Sequence, residues 1–119
     1  MCARAEGART REDDPVPKFV MAVYSNAKPG REAEYLDWYK NVHLGDILKI
    51  PGVKTGHVYE TAPASPAKPS SYLALYDLEL EEPATVLQEI GRASQAGEMK
   101  MTDAIDAASA QISIWKQNF

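Results

Sequence analysis

The stretch REAEYLDWYKNVHLGDILKIPG (residues 31–52) decides how this chain folds. Glu32 and Glu34 suit the positive end of a helix dipole, and Pro51-Gly52 stops the run, so the spacing predicts a helix over 31–50. Upstream, FVMAVYS (19–25) is almost wholly apolar, as a strand covered on both faces would be. Residues 26–30 join the two, with Pro29 and Gly30 marking a turn. Downstream, residues 53–61 alternate as a strand. APASPAKPS (62–70), with three prolines, is a loop, and YLALYDLEL (72–80) is a second strand. These two strands are expected to pair antiparallel. Pro83 fits the first turn of a second helix running to about residue 94, with Ala84, Leu87, Ile90, Gly91 and Ser94 toward the core. A flexible stretch with Gly97, Met99 and Met101 follows, then a short helix over 103–109 and a last strand, QISIWK (111–116).

The order is β-α-β-β-α-β, an α+β fold of the ferredoxin-like kind, with an antiparallel sheet and two helices on one of its faces. The other face is left bare. Strands such as FVMAVY and YLALY would expose a large apolar patch there, and a second copy of the chain is the expected cover, giving a homodimer through the open sheet face. Residues 1–17 read as a disordered leader. They carry Arg4, Arg9, Arg11, Glu12, Asp13 and Asp14 and too few large apolar side chains to offset the entropy of ordering. The domain is expected over 18–119.

The bulk numbers exclude several classes. Of the 119 residues, 45% are hydrophobic and 25% charged, the balance of a globular domain. A net charge of −4 argues against non-specific nucleic-acid binding, which needs cations to neutralise phosphates. No apolar run reaches the roughly 18 residues of a spanning helix, and the charged N-terminus lacks the apolar core of a secretory signal. A cytoplasmic location, with no membrane partner, is the expectation. The single cysteine, Cys2, forms no internal disulfide, and no Cys pair exists to hold zinc. Two histidines and scattered carboxylates show no metal-ligand spacing. There is no phosphate-binding Gly-Lys-Ser/Thr loop, dinucleotide glycine motif or serine-nucleophile elbow. No metal and no cofactor are expected.

The chemistry-bearing residues sit on the first helix. At about 100° per residue, Tyr35, Tyr39, Val42, His43, Asp46 and Ile50 fall on one face, the one that should meet the sheet. His43 and Asp46 are then carried inward one turn apart, beside Tyr39. An oriented imidazole with a carboxylate and a tyrosine hydroxyl in reach is a general acid/base constellation, so His43, Asp46 and Tyr39 are the candidate catalytic residues. The plainer reading stands beside it. Asp46 pairs with a Lys or Arg near the helix end, Gly45 lets the last turns rotate it outward, His43 is a satisfied core histidine, and Tyr39 and Trp38 are core or interface aromatics. Trp38 otherwise joins Tyr24, Tyr76 and Trp115 as candidates to line an apolar pocket, with core packing as the alternative. His57 and Tyr59 share one strand face. If that face meets the helices, they line the same pocket as His43; otherwise they sit at the dimer interface.

The run Trp38-Tyr39-Lys40-Asn41-Val42-His43-Leu44-Gly45-Asp46-Ile47, closed by Ile50-Pro51-Gly52-Val53 and preceded by Lys28-Pro29-Gly30-Arg31-Glu32, resembles the W-Y-x-x-x-H-x-x-D…P-G signature of EthD-like proteins. These belong to the dimeric α+β barrel superfamily. The likeness spans roughly residues 18–119, with strong motif agreement over 28–53. It implies a pocket in each subunit between sheet and helices, with His43 pointing in. Related barrels include cofactor-free monooxygenases, polyketide cyclases, muconolactone isomerases and haem-degrading enzymes, so the fold does not select a reaction. The expected function is a cofactor-independent enzyme acting on a small hydrophobic metabolite, aromatic or polyketide-like. His43 would move a proton, in a cyclase, isomerase, lyase or monooxygenase reaction. The alternatives are a non-catalytic dimer that binds a metabolite in the same pocket and a haem-handling barrel.

Overall fold

A computed structural model describes residues 16–119. Apart from Val16 and Pro17, the expected leader lies outside the described residues. The elements are β1 (Lys18–Ala27), a long helix in three parts, β2 (Val53–Glu60), β3 (Tyr72–Glu79), α3 (Ala84–Gln95) and β4 (Ile105–Lys116). The three parts of the long helix are α1 (Glu32–Trp38), a π-helical turn (Tyr39–His43) and α2 (Leu44–Leu48). The four strands form one sheet in the order β2-β3-β1-β4, with every neighbouring pair antiparallel. This α+β arrangement is compatible with a ferredoxin-like fold. Among the described residues no helix is long and apolar enough to cross a membrane.

Directly paired residues point to the same side of a sheet, so the register assigns the faces. One face carries Met21 opposite Tyr76 and Val23 opposite Ala74 on β1–β3, with Gly56 and Val58 on β2 completing the rows. Met21, Tyr76 and Leu78 on this side are almost fully buried, in one core with Tyr35, Trp38 and Ile47 of the long helix and Val86 and Ala93 of α3. Both helices therefore pack on the same face. Gly56 sits there because its neighbour needs the space: a Cβ on it would lie 2.8 Å from a ring carbon of Tyr76. Gly52 ends the long helix with φ at +96°, a left-handed conformation that glycine adopts without a steric cost.

Two expectations are corrected. Residues 103–109 are not a helix. β4 begins at Ile105, where Ile105 pairs with Ala27 and Asp106 with Asn26, and the Ser109 hydroxyl accepts a hydrogen bond from the Asn26 amide at 2.9 Å. The alanines of this segment favour a helix locally, and the unsatisfied edge of β1 outweighs that weak preference. The core face of α3 is also turned. Val86 and Ala93 are buried with Ile90 packed beside them, whereas Ala84, Gly91 and Ser94 are exposed and Leu87 is 38% exposed. Both stripes are apolar and share Ile90, so the choice falls to packing on the sheet and on Met99 rather than to local pattern.

Candidate functional site

The decisive feature of the long helix is its π turn. The Leu44 amide donates to the Tyr39 carbonyl, five residues back, so one turn holds an extra residue. Everything after it is set back by about one residue step, ~100° on the helix surface. Ile47 then occupies the inward position that a uniform helix assigns to Asp46, and it is 1% exposed. Asp46 is rotated outward. Its carboxylate lies 3.7 Å from the Lys49 ammonium, in a small recess with Glu89 and Glu98, and makes no hydrogen bond to the imidazole of His43. The expected carboxylate–imidazole pair is thus replaced by an ion pair at the helix end.

His43 stays inward. Its ring stacks on Trp38 at a centroid distance of 4.3 Å and meets Tyr39 edge-on at 5.0 Å. Its Nδ1 is sealed from solvent and has no hydrogen-bond partner, the one side-chain polar atom in that state among the described residues. Burial pushes the imidazole pKa down from 6.5 to about 4, against a smaller opposing pull from Asp46, so the ring is neutral at pH 7. The Tyr76 hydroxyl donates to that of Tyr39 over 3.5 Å, at the limit of a hydrogen bond. Burial raises both phenols, Tyr76 to about 12, so both keep their protons.

These groups line an open-sided cavity of about 150 Å³ between sheet and helices. Trp38, Tyr39, His43 and Tyr76 form its aromatic wall, and Met21 and Ile47 are among its aliphatic lining. The segment after α3 closes one side: the Trp38 indole N–H donates to the Lys100 carbonyl at 2.8 Å, and half-exposed Met101 lines the cavity. Larger recesses lie elsewhere: a polar one of about 380 Å³ beside the proline-rich loop, and an apolar groove of about 420 Å³ where Leu36, Tyr39 and Leu44 meet the edge strand β2, with His57 and Tyr59 on its rim. Neither contains His43. The cavity is well below the ~300 Å³ at which drug-sized sites begin, and a haem does not fit it.

The sequence-predicted residues separate into two sets. His43, Tyr39, Trp38 and Tyr76 come together around the cavity. Tyr24, His57, Tyr59 and Trp115 do not. Tyr24 and Tyr59 share the register row of Leu73, His57 that of Leu75, and Trp115 that of Val20, all on the face away from the helices. The open alternative for His57 and Tyr59 therefore resolves to the bare sheet face, where Tyr59 is 43% and Trp115 61% exposed. Sequence reasoning missed Met21, Ile47 and Met101 as lining residues. Strand alternation from Tyr76 would have found Met21, whereas Ile47 depends on the π turn. Among the described residues no group of three or more His, Cys, Asp or Glu is placed to hold a metal ion. Set against known family models, curated proteins and solved structures, the chain matches none.

Proposed function

We propose that the chain is a cofactor-independent enzyme that handles a small hydrophobic molecule in the cavity, with His43 as the proton-transferring group. The observation that carries this is the neutral His43 imidazole, its Nδ1 sealed and unpartnered, set in the wall of a largely apolar cavity. A polar atom left without a partner away from water costs about 1–3 kcal/mol, so the imidazole is held in the cavity wall at a cost in stability. A neutral imidazole accepts a proton directly. It would take one from an acidified C–H or O–H of the ligand and return it at another position, with the protonated Tyr39 and Tyr76 hydroxyls available to donate to the oxygen that gains charge. The EthD-like signature through His43 is consistent with this reading. The bare sheet face, with Trp115, Tyr59, Leu73 and Leu75, supports a homodimer formed through it.

Solvent-deuterium exchange tests the proposal. The protein is incubated in D₂O with a panel of single-ring phenols and enolisable ketones, and ring and α-carbon deuteration is followed by NMR. The reading expects exchange above background with the wild type and none with His43→Ala at unchanged fold. Exchange that survives His43→Ala overturns it. A second reading, a non-catalytic binding protein, is favoured by the diversion of Asp46 to Lys49, which leaves the imidazole without an orienting carboxylate. It expects saturable binding with no exchange in either protein.

A further inference from the structure

The dimensions and polarity of the cavity say more about its occupant than the presence of His43 alone. Its volume, about 150 Å³, equals that of an apolar cavity that stays dry and takes up benzene. One six-membered ring fills such a space. Tyr39, Tyr76 and Ile47, all almost fully buried, fix the inner wall, and a second fused ring would have to project past the half-exposed Met101 and Ile112.

The lining also restricts charge. Thirteen residues bound the cavity, and none is Asp, Glu, Lys or Arg. The nearby acid, Asp46, opens into the separate recess with Lys49. Tyr39 and Tyr76 keep their protons, and His43 is neutral. A carboxylate, phosphate or ammonium group would enter with nothing to compensate the loss of its hydration. The groups on offer are neutral hydrogen-bonding ones: the His43 imidazole and the hydroxyls of Tyr39, Tyr76 and Ser94. The rings of Trp38 and Tyr39 in the lining offer apolar surface to such a body.

Building on the proposed role of His43, we infer that the cavity is a site for a single uncharged six-membered ring bearing one hydroxyl, the phenol class, seated with its hydroxyl on the His43 imidazole. A phenol is uncharged at pH 7, like the tyrosine side chain, whose ordinary pKa is about 10. Fused-ring polyketides exceed the cavity volume, and aromatic acids find no compensating charge in its lining.

Four probes test this on the full chain: phenol, benzene, benzoate and 2-naphthol, titrated at pH 7 with the ring nitrogens of His43 followed by NMR. His57→Gln removes the other imidazole signal for assignment. Phenol is expected to saturate and to shift the His43 nitrogens. Benzene is expected to bind about tenfold more weakly, the value of one hydrogen bond, and without a nitrogen shift. Benzoate and 2-naphthol are expected to leave His43 unmoved. His43→Phe should make phenol and benzene bind equally. Ile90→Phe, which fills the cavity from α3 and keeps the imidazole, should abolish phenol binding and keeps the test decisive if His43→Phe does not fold. Equal affinity of the wild type for phenol and benzene, a His43 shift with benzoate, or no effect of phenol overturns the assignment. A His43 shift with 2-naphthol overturns the single-ring limit and leaves proton transfer standing. Phenol bound on His43 with no His43-dependent deuterium exchange keeps this assignment and removes the enzymatic reading.

Discussion

Replacing His43 by Phe should flatten the acid limb of the stability profile, by an amount that follows from the burial of the imidazole. In the folded chain its pKa stands at about 4 against 6.5 for the free side chain. Above pH 6.5 the ring is neutral in both states and contributes no pH dependence. Between 6.5 and 4 the unfolded chain takes up a proton that the folded chain refuses, so stability falls as the pH falls. Below 4 both states are protonated and the loss levels off. Integrated from pH 7 to pH 4, the wild type should lose at most about 3 kcal/mol on this account, a large part of the 5–15 kcal/mol typical of a domain. Urea unfolding at pH 7.0, 5.5 and 4.5, followed by tryptophan fluorescence, measures it in both proteins. Arg92 holds the carboxyls of Glu89 and Glu98 below their ordinary range, and Arg31 does the same for Asp103. These groups also withdraw stability in acid, and they cancel in the difference between the two proteins. Relative to its value at pH 7, the difference should change by about 2–3 kcal/mol at pH 4.5. Identical slopes for wild type and His43→Phe would refute the neutral buried imidazole, and with it the chemistry assigned to the cavity.

Gly56→Ala should destabilise the fold by about 1–3 kcal/mol, because its Cβ would meet the Tyr76 ring at 2.8 and 2.9 Å and a Leu44 methyl at 3.2 Å; a urea midpoint within error of the wild type would show that the ring yields freely. Ser25→Ala should cost about 1–3 kcal/mol, since it strips the buried Tyr35 hydroxyl of the partner 2.5 Å away. The same denaturant series checks it, and Ser25→Thr should recover part of the loss if the hydroxyl is what matters. Trp115→Asp places a charge on the bare sheet face, near the end of its edge strand β4, and if that face pairs two copies, light scattering should find the mass halved relative to wild type at equal concentration. An unchanged mass would remove this face as the subunit contact.

Residues 31–52 and their flanks carry much of the architecture in the sequence itself. Glu32, Glu34 and Pro51-Gly52 bound the long helix, the prolines of 62–70 separate β2 from β3, and Pro83 starts α3. These are local steric and electrostatic effects, acting within a few residues, and they need no partner from elsewhere in the chain. The inward placement of His43 and Tyr39 was legible for the same reason, since it follows from helical period. What the period could not supply was the extra residue in the turn Tyr39–His43. No composition marks a π turn. It exists here with Ile47 packed into the core and the imidazole stacked on Trp38, and it exchanges Asp46 for Ile47 on the buried face. Likewise Asp103 to Ser109 reads as helix until β1 offers an edge to pair with, and the faces of Tyr24, His57, Tyr59 and Trp115 depend on which side of the sheet the helices take. Local sequence sets where elements begin and end, because caps and breakers act at short range. Their rotation about their own axes, and so the membership of the cavity, was decided by packing between residues far apart in the chain.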